Sequence, residues 1–301
     1  MFRNIANKHP RVFNTVMEHE LLVRLGFFFG IFAVVAFFET RYPRRPPSHK
    51  MMRWLSNLGL IFLNALTLRL IFPTAAVGMA IIAEQGQWGL FHHYNLSPGL
   101  TLLLAVIALD LVIYLQHVLF HAVPLLWRLH MVHHADLEYD LTTGLRFHPI
   151  EIVLSMIIKF AAIAALGAPV IAVIVFEILL NVCSMFNHGN LRLPEKVDRV
   201  LRWLIVTPDM HRVHHSSIKR ETNSNYGFSL SCWDRLFGTY RDQPMLGHEA
   251  MEIGLTQFRD RSRLTLPWLL ILPFIGKVGS YPINRSEEPE QINPHSSSEN
   301  N

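Results

Sequence analysis

Two five-residue stretches repeat one histidine pattern: HMVHH at 130–134 and HRVHH at 211–215. The chain holds 17 histidines in 301 residues, so chance placement would give about 0.05 copies of His-x-x-His-His. On a helix, positions three or four apart share a face, so each stretch aims two or three imidazoles at one spot. His117 and His121 repeat the four-residue spacing, and His148 and His188 stand alone. Neutral imidazole is a ligand for zinc, iron, copper and nickel. The ten positions are His117, His121, His130, His133, His134, His148, His188, His211, His214 and His215. They exceed the four ligands of a tetrahedral zinc and suit two metals with room for small ligands. His9, His19, His49, His92, His93, His248 and His295 read as ordinary core or interfacial residues. For the isolated His148 and His188, a structural role is the competing reading.

Such a cluster needs elements that gather it. Half of the chain is hydrophobic, its mean hydropathy is +0.25 and 17% is charged. That mixture suits a membrane part joined to a polar part. A formal charge of +4 with dispersed basic residues fits anionic headgroups and gives no nucleic-acid signal. Cys183 and Cys232 alone make neither a disulfide framework nor a cysteine zinc motif, so histidine must hold any metal. The first apolar run lacks a small-residue cleavage site after it, so no cleavable signal peptide is expected.

Apolar runs at 21–39, 55–83 and 100–120 are each long enough to span a bilayer. The second is interrupted by Arg69 and Pro73 and reads as one long, kinked span. The run 150–186 breaks at Gly167-Ala168-Pro169 and reads as a helical hairpin. The expected fold is all-α: a polytopic membrane helix bundle of about four spanning units, with a cytoplasmic histidine-rich helical cap. Residues 1–99 would be N-terminal spans and 100–264 the histidine-rich catalytic region. Residues 265–283 would form an interfacial or packing helix, and 284–301 a disordered tail. The loop 41–53 carries five basic residues and 84–99 none, which places the first in the cytoplasm. All ten histidines then meet at the cytoplasmic face, of a bacterial inner membrane or the endoplasmic reticulum.

Two polar stripes lead into the membrane. Asp110, Tyr114, His117 and His121 share one helical face. Asp110 would anchor Tyr114 or a ligand histidine through water, or make a hydrogen bond between helices. Glu177, Asn181, Ser184 and His188 form the second stripe. Folding the hairpin about Ala168 brings Lys159 level with Glu177 and predicts an ion pair between them. An unpaired charge there costs roughly 2.5–3.5 kcal/mol on insertion scales.

The motifs HVLFH, LWRLHMVHH, TTGLRFHPIE, FNHGN, TPDMHRVHH, NSNYG and WDRLFGTY, in this order between Asp110 and Tyr240, resemble the fatty acid hydroxylase/sterol desaturase superfamily of membrane di-iron enzymes. The resemblance implies two iron ions held by the ten histidines, and O2 and external electrons used to hydroxylate or desaturate a lipid C–H bond. It implies that Asn225, Tyr226 and Gly227, with Trp233 and Asp234, brace the site, and that Asp140 and Arg146 stand behind the ligands. Such imidazole sites take zinc as well as iron. Phe120, Leu145, Phe147 and Phe186 offer an apolar lining for a lipid tail. No dinucleotide fingerprint and no fused cytochrome motif occurs, so the electron donor should be a separate protein. Competing readings are a membrane metal transporter or sensor, and a non-catalytic relative with a structural metal. Transport sites sit near the midplane, whereas these histidines gather at one edge. Nothing in the sequence sets an oligomeric state or chooses the lipid.

Overall fold

A computed structural model describes residues 10–46, 51–72, 74–94 and 96–283. The tail expected to be disordered and Pro73, the expected kink, lie outside these residues. Among the described residues there are helices and no strands. Three isolated bridges, Pro43–Leu191, Ile205–Leu230 and Ser216–Ile253, tie loops together. The helices are α1 (Pro10–Arg41), α2 (Met51–Ile71), α3 (Ala75–Gly86), α4 (Pro98–Ala122), α5 (Pro124–His134), α6 (Pro149–Leu166) and α7 (Val170–Asn187). Short helices follow: α8 (Glu195–Leu201), α9 (Pro208–His214), α10 (Lys219–Thr222), α11 (Cys232–Leu236), α12 (Gly247–Ala250) and α13 (Leu266–Ile275).

Five helical stretches are long and apolar enough to cross a membrane: Leu21–Arg41, Met51–His92, Pro98–Ala122, Pro149–Leu166 and Val170–Asn187. The chain is therefore built as a multi-pass membrane protein. Their outer faces carry large apolar side chains that are mostly exposed, such as Leu22, Phe29, Phe62 and Leu70. In water such a belt would drive aggregation; against lipid tails it costs nothing. Between α3, α4, α6 and α7 the core is lined by Ala76, Ala80, Ala105 and Ala172 beside Leu109, Ile163 and Phe176. Small residues let helix backbones approach closely where lipid gives no hydrophobic drive to associate.

α6 and α7 form the hairpin, turning at Gly167, which has φ +65°. Gly89, with φ +89°, packs against this turn, and a Cβ there would lie 2.0 Å from the Gly167 nitrogen. Only glycine fits such an approach at that backbone angle. Lys159 donates to Glu177 at 3.0 Å across the hairpin, and Arg24 of α1 reaches the other carboxylate oxygen at 2.9 Å. Three helices thus meet at one buried carboxylate.

Proline sets the starts of the helices that carry the histidines. Pro98, Pro124, Pro149 and Pro208 each occupy a first turn, where a missing N–H costs nothing. Ser97 and Thr207 cap α4 and α9 by accepting from Leu100 and Met210. Val123, held extended by the following proline, ends α4 and bends the chain straight into α5. α13 packs on α2 and α5: its Leu269 and Leu272 join Leu60, Trp127 and Met131 in one buried cluster.

Candidate metal centre

Nine of the ten histidines converge, in two groups. His117, His121, His130, His134 and His214 form one; His133, His188, His211 and His215 form the other. Within each group the ligand nitrogens lie within 4.8 Å of one another. All nine side chains are buried. Each triplet is divided by helical geometry. In α5, His130 and His134, four apart, enter the first group and His133 enters the second. In α9 the division is mirrored: His211 and His215 enter the second and His214 the first. The two groups abut, with the His134 and His215 rings stacked 4.6 Å apart.

Five of the nine rings have their Nδ1 held by an oxygen, whereas Nδ1 of His133, His211 and His215 is buried without a hydrogen-bond partner. His117 Nδ1 donates to the Tyr226 carbonyl at 2.8 Å, His214 Nδ1 to that of Ser224 at 2.7 Å and His188 Nδ1 to that of Ser184 at 2.8 Å. His130 Nδ1 meets Glu151 Oε1 at 2.7 Å. His121 Nδ1 meets Asn223 Oδ1 at 3.1 Å, and that amide is oriented because its nitrogen donates to the Tyr281 carbonyl. An oxygen partner fixes the Nδ1–H tautomer and leaves the Nε2 lone pair pointing inward. Nε2 of His117, His130 and His214, and both ring nitrogens of His215, are buried with no hydrogen-bond partner. Elsewhere Nε2 faces Nε2: His121 to His134 at 3.2 Å, His133 to His188 at 3.2 Å and His211 to His188 at 3.1 Å. Burial holds His130 and His188 near a pKa of about 3, so both rings are neutral at ordinary pH. Converging neutral lone pairs without protein donors are costly unless a cation sits among them. Imidazole nitrogens bind at about 2.0–2.1 Å from a zinc-sized ion, which fits nitrogens this close together. The residues present fit one ion per group.

His148 is the exception. It caps α6, with Nδ1 accepting from Ile150 N at 3.2 Å and Nε2 placed to donate to the Leu270 carbonyl at 3.1 Å. Both nitrogens are spent on tying the hairpin base to α13, and neither group includes the ring.

The bracing residues divide the same way. Asp234 accepts from the backbone N–H of Tyr226 at 2.7 Å and of Gly227 at 2.8 Å. It thereby sets the Tyr226 carbonyl that orients His117. Thr239 links Asp234 to the Tyr114 hydroxyl, at 2.7 and 2.9 Å. Asn225, with φ +52°, donates to the carbonyls of Met210 and Arg241 and pins the loop beneath α9. Asp110 accepts through Oδ2 from Trp233 Nε1 at 2.9 Å and Leu230 N at 3.2 Å, joining α4 to the loop beside it. Asp140 and Arg146 stand behind α5 in a buried ionic knot. Arg53 donates to Asp136 and Asp140, and Arg146 donates to the Val132 carbonyl at 2.8 Å, next to His133. Burial pushes Asp136 upward, but Arg53 and Arg146 outweigh it and hold its pKa at about 2.

Several contacts were not drawn from the sequence. Glu151, Asn223 and Thr239 hold ligands or their supports; Arg53 and Asp136 anchor α5. Glu151 and Asn223 lie inside the motif strings HPIE and NSNYG, a signal without a direction. At Gly144 a Cβ would lie 2.7 Å from the Ser184 carbonyl and 3.0 Å from His188 Nδ1, so only glycine leaves that ring its place. Of the expected apolar lining, Phe147 stacks on His133 at 4.6 Å and Phe120 lies 6.0 Å from His130. Phe186 packs away from the centre, beside Val35, Leu141 and Leu191.

The comparisons with known proteins meet this geometry. The family model for fatty acid hydroxylase matches residues 102–239, the stretch that carries all nine histidines. The ornithine lipid hydroxylase OlsE of Rhizobium tropici is 28% identical over 74% of this chain and 68% of its own length. Alkylglycerol monooxygenases of Xenopus tropicalis and Homo sapiens are 33% and 28% identical, over 61% and 56% of this chain. The chain spans only 41% and 36% of their lengths. No solved structure matches it. Residues 102–239 therefore form a fatty acid hydroxylase domain.

Proposed function

We propose that the chain is an integral-membrane oxygenase that hydroxylates a C–H bond of a membrane lipid with O2, at two iron ions held by nine histidines. One observation carries the reading: nine buried imidazoles meet in two adjacent groups at the shared end of α4 and α7. The reaction balances as R–H + O2 + 2 e⁻ + 2 H⁺ giving R–OH + H2O. Iron supplies the redox and O2 chemistry that no side chain provides. The chain supplies the rest. Tyr226, Ser224, Ser184, Glu151 and Asn223 fix the orientation of five rings. Trp127, 4.8 Å from His121, and Phe147 on His133 keep bulk water from the pair. Phe120 and Phe147 beside the histidines offer a lipid tail an apolar lining.

The names of the relatives, an ornithine lipid hydroxylase and alkylglycerol monooxygenases, favour hydroxylation over desaturation and a polar-headed lipid as substrate. The basic residues Arg41, Arg44, Arg45 and Arg53 at the site end of α1 and α2 favour a cytoplasmic site, where a separate redox protein delivers electrons. Residues 100–264 are the catalytic region and 265–283 its packing helix. Iron-loaded protein with a reductant, in vesicles of host lipid under ¹⁸O2, tests the proposal by mass spectrometry. One labelled oxygen should enter a lipid, and His133→Ala and His214→Ala should abolish it. A loss of two mass units would replace hydroxylation by desaturation. No change in any lipid, with iron bound and reduced, would overturn the assignment.

A further inference from the structure

The segment from α8 to α11 belongs to the polar cap by sequence, yet it is tied to the middle of a spanning helix. Asp110 lies twelve residues into α4, about 18 Å along the axis at 1.5 Å per residue. The apolar core of a bilayer is about 30 Å thick. The far end of that core is marked by the hairpin turn, where Gly167 meets the Trp88 carbonyl and His92 a few residues before α4 begins. Asp110 therefore lies well inside the apolar layer. Trp233 and Leu230 bond to it, Phe237 stacks on Tyr114 at 5.3 Å, and Asn187 of α7 holds the Phe228 carbonyl at 2.8 Å. The loop 228–237 runs down beside α4 and α7 from the level of the ligands to the level of Asp110.

This loop and its neighbour turn large apolar side chains outward, beside the exposed Glu195, Lys196 and Arg199. Val197 is 45% exposed, Val200 70%, Trp203 70%, Leu204 68%, Leu236 69% and Phe237 50%. Val197 and Val200 share one face of α8, with Leu204 following seven residues after Val197; Glu195 and Arg199 lie on the opposite face, exposed and paired with each other. The two pieces are one surface. Ile205 bridges Leu230, Ser231 N donates to the Leu204 carbonyl at 3.3 Å, and the Arg235 guanidinium lies 4.5 Å from the Trp203 ring centre. Six large apolar side chains at this exposure make a contiguous patch of the kind that soluble surfaces avoid.

We propose that α8, α11 and the segments following them, Arg202–Ile205 and Phe237, form a platform inserted into the acyl layer of the leaflet at the ligand-bearing end. The platform is a lipid-binding surface, continuous with the lipid-facing sides of α4 and α7. Its occupant is bilayer lipid, because the patch is fastened at a depth that bilayer lipid already fills. The consequence is a metal centre with lipid along one flank rather than above open water: Phe237 touches Tyr114, Tyr114 packs on Tyr226 at 6.4 Å, and Tyr226 packs on His117 at 5.5 Å.

Spin labels test this in the full chain in nanodiscs, independently of turnover. Labels are placed at Leu204→Cys and Leu236→Cys in a Cys183→Ala, Cys232→Ser background, with the exposed Arg220→Cys as the aqueous control. Metal content confirms that each variant is folded. Labels at 204 and 236 should relax with O2, which concentrates in lipid, and resist a water-soluble nickel chelate several-fold more than the control. Nickel access equal to the control, or low access to both agents, as under a second copy of the chain, would overturn the proposal. Brominated lipid gives the same answer on unlabelled protein: the fluorescence lost in Trp203→Phe should be the strongly quenched part. An unquenched Trp203 would contradict insertion.

Discussion

Single side chains set the chemistry by where their nitrogens point. The convergence of nine histidines was legible because spacing of three and four residues is an address on a helix; the division of each triplet, with His130 and His134 in one group and His133 in the other, was not. Most tautomers were not legible, because the oxygens that set them come from other segments: Tyr226 for His117, Asn223 for His121 and Glu151 for His130; Ser184, one turn before His188 on the same helix, is the local exception. His148 shows the same limit from the other side. Its place at the hairpin base put it level with His188, but cap geometry committed its nitrogens to Ile150 and Leu270. His148→Ala should leave the metal content per chain unchanged, whereas His133→Ala should lower it, as read by elemental analysis. Glu151→Ala removes the carboxylate at His130 Nδ1 and should weaken metal binding by roughly 10- to 100-fold, measured by competition with a chelator. Unchanged affinity would mean that Glu151 does not orient the ligand.

Helices, one scale up, show which parts of the architecture a pattern can encode. The hairpin was legible: Gly167-Ala168-Pro169 must break a helix, and equal arms place Lys159 opposite Glu177. The part played by Arg24 was not, since the residues after it in α1, 25–38, are apolar on every side and leave its partner undefined. The depth reached by the loop after Phe228 was hidden for a related reason; polar residues such as Ser229 and Ser231 read as cap, while Asp110 pulls their backbone into the bundle. The ion-pair geometry gives an ordering. Glu177→Leu strands both Lys159 and Arg24 and should destabilise the fold by about 3–5 kcal/mol, the cost of breaking a buried pair. Lys159→Met leaves Arg24 on the carboxylate and should cost less. Unfolding in detergent by denaturant, followed by tryptophan fluorescence, checks the order; the reverse order would assign the main pairing elsewhere.

For the whole molecule, metal and fold are linked. Four elements, α4, α5, the end of α7, and α9 with the residue after it, bring the nine histidines together, so ions would bind the folded chain far better than the unfolded one. Each ion held at about 1,000 times its Kd contributes about 4 kcal/mol of stability. Chelation should therefore lower the thermal midpoint, and iron or zinc should restore it. A midpoint indifferent to chelator would mean that the nine imidazoles are packing residues. The membrane architecture follows from hydropathy alone, and the site from spacing plus the two motif copies; their mutual orientation required the structure.

The most direct test of the account is an anomalous-scattering map of iron-loaded protein at the iron edge. Two peaks are predicted, one among His117, His121, His130, His134 and His214, the other among His133, His188, His211 and His215. A single peak, or iron bound away from both groups, would contradict it.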